Sequence, residues 1–164
     1  SFMTKAGIVE CFPSKQAKVS VYIKNPVDIS NPRLHKVLTN KSKQPFNLLN
    51  IGNNHLCIKM KSISKVDLAK IYKELPKSAK DIEINLSIYK KEKNKISIRT
   101  YENGVGETLS CGSASLSVAS IFINKAKDPI EVSSFGGKLN FRKYNDGILM
   151  AGPTSFIFKG NIDG

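Results

Sequence analysis

The sequence predicts an α+β fold: a mostly antiparallel sheet curled around one central, buried helix. Three observations predict it. Short alternating runs recur at spacings too tight for repeated βαβ units. One segment, 112–125, is apolar nearly all round, and a helix without a wet face belongs in a core. Turn signals, Gly136-Gly137 and Asn145-Asp146-Gly147, separate the later runs.

Taken in order, Ala17–Ile23 alternates Val19, Val21 and Ile23 against Lys18, Ser20 and Tyr22. Leu56–Met60 is a short strand-like run that follows His55 and includes Cys57. Val66–Leu75 sets Leu68, Ile71, Tyr72 and Leu75 on one helical face, and Pro76 ends it. Ile82–Tyr89 alternates with Ile82, Ile84, Leu86 and Ile88 facing one way, and Lys95–Tyr101 does so with Ile96 and Ile98. The buried helix, Gly112–Lys125, carries Ala114, Leu116, Val118, Ala119, Ile121, Phe122 and Ile123, and Asp128-Pro129 closes it. Later strands are expected at Ile130–Val132, Lys138–Phe141, Ile148–Met150 and Ser155–Phe158. No internal repeat or linker interrupts 1–164, which reads as a single domain.

Composition narrows the function classes. No apolar run approaches the ~20 residues that span a bilayer, so no membrane partner is expected. Residues 1–5 carry no apolar signal region, which points to the cytoplasm. The three cysteines are odd in number and lack a CxxC pair. That argues against a disulfide framework and leaves room for a working thiol. The net charge of +13 invites a nucleic-acid-binding reading, with steeply salt-dependent binding. The lysines, however, are spread along the whole chain. The one dense cluster, Lys90-Lys91-Glu92-Lys93-Asn94-Lys95, sits between two strand-like runs and reads as a solvated hairpin tip. The same field would favour an anionic small-molecule substrate.

The strongest chemical constellation runs from Tyr101 to Ser115: a strand ends, a loop with Gly104 and Gly106 follows, and Cys111-Gly112-Ser113 opens the buried helix. The first N–H groups of a helix are unpaired and carry the positive end of its dipole. A thiol placed there is expected to have a lowered pKa, with thiolate available near neutral pH. The same amides form an anion site that could hold a substrate carboxylate. The alternative is a buried structural cysteine. A zinc site from Cys11, Cys57, Cys111 and His55 lacks ligand pairs at the usual spacing.

Glu102-Asn103-Gly104-Val105-Gly106-Glu107-Thr108-Leu109-Ser110-Cys111-Gly112-Ser113 resembles the second cysteine signature of the diaminopimelate epimerase family. Other segments resemble its motifs in the same order: Thr4-Lys5-Ala6-Gly7-Ile8, Gly52-Asn53-Asn54-His55, Asn85 after Ile84, Gly136-Gly137-Lys138-Leu139, and Gly152-Pro153-Thr154. The resemblance implies a cofactor-independent isomerase acting on an amino-acid substrate, LL- and meso-diaminopimelate, in lysine and peptidoglycan-precursor biosynthesis. Cys111 would be one of two acid/base cysteines. Gly112 and Ser113 would donate to the reacting α-carboxylate, Glu102 would hold the α-ammonium, and His55 would lie near the reacting carbon. Asn53 and Asn85 would contact the distal end of the substrate. Read without the family, His55 is a satisfied strand histidine and the asparagines are turn residues.

Two positions depart from the family pattern. Asn103 stands where an arginine grips the distal carboxylate, and an amide brings neither charge nor fork. This opens a related racemase with another substrate. Asn54 replaces a proline, which alters a turn.

Inversion at carbon is served by two bases, one on each face. Cys57 lies in a strand-like run and Cys11 has no helix behind it, so neither suits the second role. The resemblance therefore implies that 1–164 is a C-terminal lobe and that an N-terminal lobe supplies the other cysteine. A last strand at about 152–160 would then pair with that lobe, and the lobe alone would be inactive. Its open cleft face would favour self-association as a homodimer.

Overall fold

A computed structural model describes residues 1–4, 7–14, 18–41, 43–155 and 157–160. The strands are β1 (Phe2–Thr4), β2 (Gly7–Val9), β3 (Cys11–Ser14), β4 (Lys18–Lys24), β5 (Val27–Asp28), β6 (Phe46–Asn50), β7 (Asn54–Lys59), β8 (Asn85–Glu92), β9 (Lys95–Glu102), β10 (Gly106–Thr108), β11 (Ile130–Ser134), β12 (Gly137–Tyr144) and β13 (Gly147–Pro153). The helices are α1 (Pro32–Lys41), α2 (Leu68–Lys73), α3 (Lys77–Lys80) and α4 (Gly112–Ile123). One large sheet has the order β3-β4-β13-β12-β11-β9-β8-β7-β6-β5, with β10 added on β9; β1 and β2 form a separate hairpin.

The sheet is antiparallel except at β7–β8 and β9–β11. Parallel neighbours need a crossover. The β7–β8 crossover carries α2 and α3, and the β9–β11 crossover carries β10 and α4. Both step the same way across the sheet, but β9 runs opposite to β7. Connections of one hand must then lie on opposite faces. Two cores result, one on each face.

The first core surrounds α4. Residues 114–119 of this helix are all buried, against Cys57, Tyr89, Ile96, Ile98, Ile130, Val132, Phe141 and Ile148. The helix contacts β7, β8, β9, β11 and β12, five consecutive strands. Strands about 4.8 Å apart would place β7 and β12 about 19 Å apart in a flat sheet, wider than a helix of about 10–12 Å. The sheet therefore curls around α4, as the sequence predicts. The second core lies between the other face of β6–β8 and α1–α3, and includes Leu34, Leu38, Leu48, Leu56, Ile58, Leu86 and Ile88. Each such side chain contributes about 1.5–3 kcal/mol by leaving water.

Several expectations need correction. Ile82–Tyr89 is a strand only from Asn85, with Glu83 at φ 53° just before it, although Ile82, Ile84, Leu86 and Ile88 still face one core. The helix expected at Val66–Leu75 spans Leu68–Lys73; Asp67 caps its start, Glu74 its end, and Pro76 is instead the N-cap of α3. Ser155–Phe158 is not a strand at Ser155, Ile157 or Phe158; Phe156 lies outside the described residues, as do Lys5, Ala6 and Ala17. The terminal strand instead ends at Pro153, and Gly152 and Pro153 pair with Val19 and Lys18 of β4 within the chain. The lysine cluster is a hairpin tip between β8 and β9: Lys90 pairs with Glu92 at 2.5 Å, and Lys91 lies over the Phe122 ring. Among the described residues no helix is long and apolar enough to cross a membrane.

Candidate active site

The topology brings the chemistry to one end of the sheet. β7 and β8 begin there, and the antiparallel β9 ends there. His55 and Asn85 face each other in the β7–β8 ladder, and Glu102 is the last residue of β9. The β9–α4 crossover starts at this same end, so α4 presents its N-terminus, with Cys111 as the N-cap residue.

Cys111 is extended, at φ −139° and ψ 116°. The first helical hydrogen bond runs from Ser115 N–H to Cys111 O at 3.0 Å, so the Gly112 and Ser113 amides precede the intrahelical ladder and point out of its end. The Cys111 sulfur lies 3.3 Å from Ser113 Oγ. The Ala114 amide approaches it without closing a full capping bond. The Glu102 carboxylate is an electrostatic neighbour of the thiol. The Glu102 carboxylate in turn accepts from Thr108 Oγ1 at 2.6 Å, across the β9–β10 turn.

The expected lowering of the Cys111 pKa is not found. Burial pushes the thiol up, and this outweighs Ser113 and Ala114, which favour thiolate; the Glu102 carboxylate pushes the same way as burial. Cys111 therefore rests as a thiol at neutral pH. Cys57, fully buried beneath α4, is driven further, to about 12, by burial alone. It is a core thiol, consistent with its rejection as a base. Cys11 is half-buried in β3 and unpaired.

His55 is fully buried. Its Nε2 lies 3.0 Å from Asn53 Oδ1, and its Nδ1 has no partner among the described residues. Burial lowers its pKa to about 4, against the opposing pull of Glu102. The ring is therefore neutral at neutral pH, with Nε2–H donating to Asn53 and a bare Nδ1. Glu102 is the shared electrostatic neighbour of Cys111 and His55.

The remaining predicted residues form a scaffold beside this cluster. Asn85 is nearly buried; its Nδ2 donates to Asn54 O at 3.1 Å and its Oδ1 accepts from Asn103 N at 3.0 Å. Asn53 and Asn103 are exposed. Asn54 accepts from Asn50 Nδ2 and donates to Ile82 O, each at 2.7 Å, so the residue that replaces proline staples three segments together.

Sequence reasoning missed three supports. Thr108 orients Glu102. Arg99 forks onto Glu107 at 2.7 and 2.9 Å and donates to Ile63 O and Val66 O. Gly136 accommodates the loop before Cys111: a Cβ there would lie 3.0 Å from Ser110, and Gly136 N–H donates to Leu109 O at 2.7 Å. Gly136 and Thr108 stand in motifs the sequence shows, but their contacts with the Cys111 loop and with Glu102 do not; the Arg99/Glu107 charge pair flanks one tight turn. Leu109 and Phe135 are exposed on the Cys111 side of that contact. Among the described residues no cluster of three or more His, Cys, Asp or Glu is placed to hold a metal. A cavity of about 550 Å³ is lined by Ile29, Asn31, Leu34, Asn54 and Ile82, and one of about 260 Å³ lies between α1, α2 and β7; neither is lined by Cys111.

Comparison with known proteins gives this arrangement a context. The family described as diaminopimelate epimerase matches residues 47–157. A diaminopimelate epimerase from Methanocella arvoryzae is 31% identical over 98% of this chain and 62% of its own length. One from Buchnera aphidicola subsp. Baizongia pistaciae is 28% identical over 93% of this chain and 53% of its own. The chain thus spans little more than half to three fifths of these relatives. Among solved structures, a phenazine biosynthesis PhzC/PhzF protein from Clostridium difficile superposes with TM-score 0.62 at 15% identity, covering 99% of this chain and 64% of that one. A PhzF-family protein from Bacillus anthracis gives 0.59 at 15% identity, covering 91% and 63%. At that identity the likeness is one of fold.

Proposed function

The chain belongs to the diaminopimelate epimerase family, and on that premise we propose that it is the lobe carrying one acid/base cysteine of a cofactor-independent amino-acid epimerase. The reaction removes the α-proton on one face and returns one on the other. The observation that carries this reading is Cys111 as the N-cap of α4, its thiol 3.3 Å from Ser113 Oγ and with Glu102 among its electrostatic neighbours.

Each residue has a part. The α-carboxylate docks on the outward amides of Gly112 and Ser113, where the helix dipole stabilises charge that moves onto it as the α-proton leaves. The α-ammonium pairs with Glu102, which Thr108 holds in place. Neutralising Glu102 removes one of the influences that raise the Cys111 pKa, so substrate binding itself eases formation of thiolate. In the other direction Cys111 begins as thiol and donates. His55, neutral with a bare Nδ1, lies beside this cluster as a close acceptor, not a charge.

A second base on the opposite face is needed. Cys57 is sealed in the core and Cys11 lies in a strand, so we assign that base to a lobe beyond these 164 residues. The relatives' greater length supports this. LL- and meso-diaminopimelate are the proposed substrate pair, and lysine and peptidoglycan-precursor synthesis the setting. Asn103, in place of an arginine, favours a second reading: a racemase of the same mechanism acting on another amino acid. A working thiol fits a reducing compartment, which we take to be the cytoplasm.

The test is α-proton exchange into D2O. The full-length enzyme should exchange both epimers of diaminopimelate, and Cys111→Ser should abolish exchange. Full exchange in that variant would contradict the reading. A strong preference for another amino acid would select the racemase.

A further inference from the structure

One side chain of α2 reaches the loop that follows Glu102. Tyr72 stacks on Tyr101, with ring centroids 4.3 Å apart and planes 23° apart. Its hydroxyl donates to Asn103 Oδ1 at 2.6 Å. The Asn103 main-chain N–H donates to Asn85 Oδ1 at 3.0 Å. An exposed residue is thus held at both its backbone and its side chain. The helix that holds it is itself anchored. Asp67 accepts from Lys70 N–H at 2.9 Å, and Arg99 Nη1 ties Ile63 O and Val66 O at 2.6 and 2.9 Å.

A free asparagine offers an acceptor oxygen and two N–H donors and can present either. Tyr72 removes that choice. Its single hydroxyl hydrogen goes to the Asn103 carbonyl, and the amide nitrogen is left with two N–H groups, no charge, and no partner among the described residues. This donor stands one residue from Glu102, the carboxylate that Thr108 orients and that bears electrostatically on Cys111.

We infer that Tyr72 is a positioning residue that fixes Asn103 as a hydrogen-bond donor toward an acceptor oxygen at the far end of the substrate side chain. The inference rests on the amino-acid epimerase reading and deepens it by naming the distal chemistry. A carboxylate or a carboxamide satisfies the two N–H groups. An apolar tail leaves them bare, and a cationic tail is repelled by them. A neutral amide also separates carboxylate from carboxamide less sharply than an arginine fork does.

Tyr72→Phe in the full-length enzyme keeps the ring stack and removes only the hydroxyl. We would measure kcat and KM on three α-amino acids of one chain length, bearing a distal carboxylate, carboxamide or hydrogen. The expected result is a KM rise of about 3–10-fold on the oxygen-bearing substrates, the scale of one hydrogen bond. kcat should hold, and the third substrate should be unaffected. A rise on one oxygen-bearing substrate alone would also support the role and identify the distal group. An equal loss on all three, a change in kcat alone, or no change on any would overturn it. Cys111→Ser, assayed alongside, separates the two claims: if that variant retains exchange, the epimerase reading fails whatever Tyr72 does.

Discussion

The two ends of the central strands β7, β8 and β9 are both polar, and they use polarity in opposite ways. At the hairpin end, Lys90, Lys91, Lys93 and Lys95 meet solvent, and the Lys90–Glu92 pair is exposed. Such a pair contributes little, about 0–1 kcal/mol. At the other end, His55 and Asn85 are buried, Glu102 and Cys111 are half-buried, and Asn85 and Glu102 have defined hydrogen-bond partners in Asn54 and Thr108. The difference teaches where charge density misleads. The most charged stretch of the sequence lowers only the exposed Glu92 carboxyl through Lys90, while one carboxylate at the quieter end influences both Cys111 and His55.

Four perturbations would break or sharpen this contrast. The largest effect belongs to Cys111→Ser, which should reduce α-proton exchange in the full-length enzyme by about 10³-fold or more, the scale of a lost acid/base group; NMR in D2O reads it. Next is the buried histidine. Its folded pKa, about 4, lies below the free value of 6.5. The neutral ring therefore contributes stability above pH 6.5, and that contribution is lost as pH falls through 4. The loss should approach roughly 3 kcal/mol. Urea midpoints at pH 7 and pH 4.5 should differ less in His55→Gln than in the native chain.

Arg99→Lys comes third. It keeps the charge but loses the fork on Glu107 and the reach to two carbonyls. A loss of about 2 kcal/mol in denaturant unfolding is expected. The smallest effect should come from the hairpin tip. Lys90→Ala should change stability by less than about 0.5 kcal/mol and leave exchange untouched. A large effect there would erase the contrast between the two ends.

The sequence carried the fold class and the polar end of the sheet unevenly. Clean alternation exposes β4, β8 and β9, and the apolar run exposes α4. β6 is hidden because Phe46-Asn47-Leu48-Leu49-Asn50 does not alternate; Leu48 and Leu49 are consecutive and both buried between layers. α1 buries only Leu34 and Leu38 under a basic, polar surface, so its period is faint despite the Asn31-Pro32 start. In the site, the motif positions could be read by resemblance. Tyr72–Asn103 and Thr108–Glu102 could not, because those pairings exist only once separate elements have docked. The Cys111 pKa was read in the wrong direction for a related reason. A helix start is visible in a sequence, but the burial around it and the facing carboxylate are not.

The central claim is that Glu102 adds to burial in holding Cys111 as a thiol. Thiolate absorbance titrated against pH in the 164-residue chain, beside its Glu102→Gln variant, tests it most directly. The native thiol should titrate above the ordinary cysteine range, and the variant should titrate lower. A native value at or below that range, or two superimposable curves, would contradict the account.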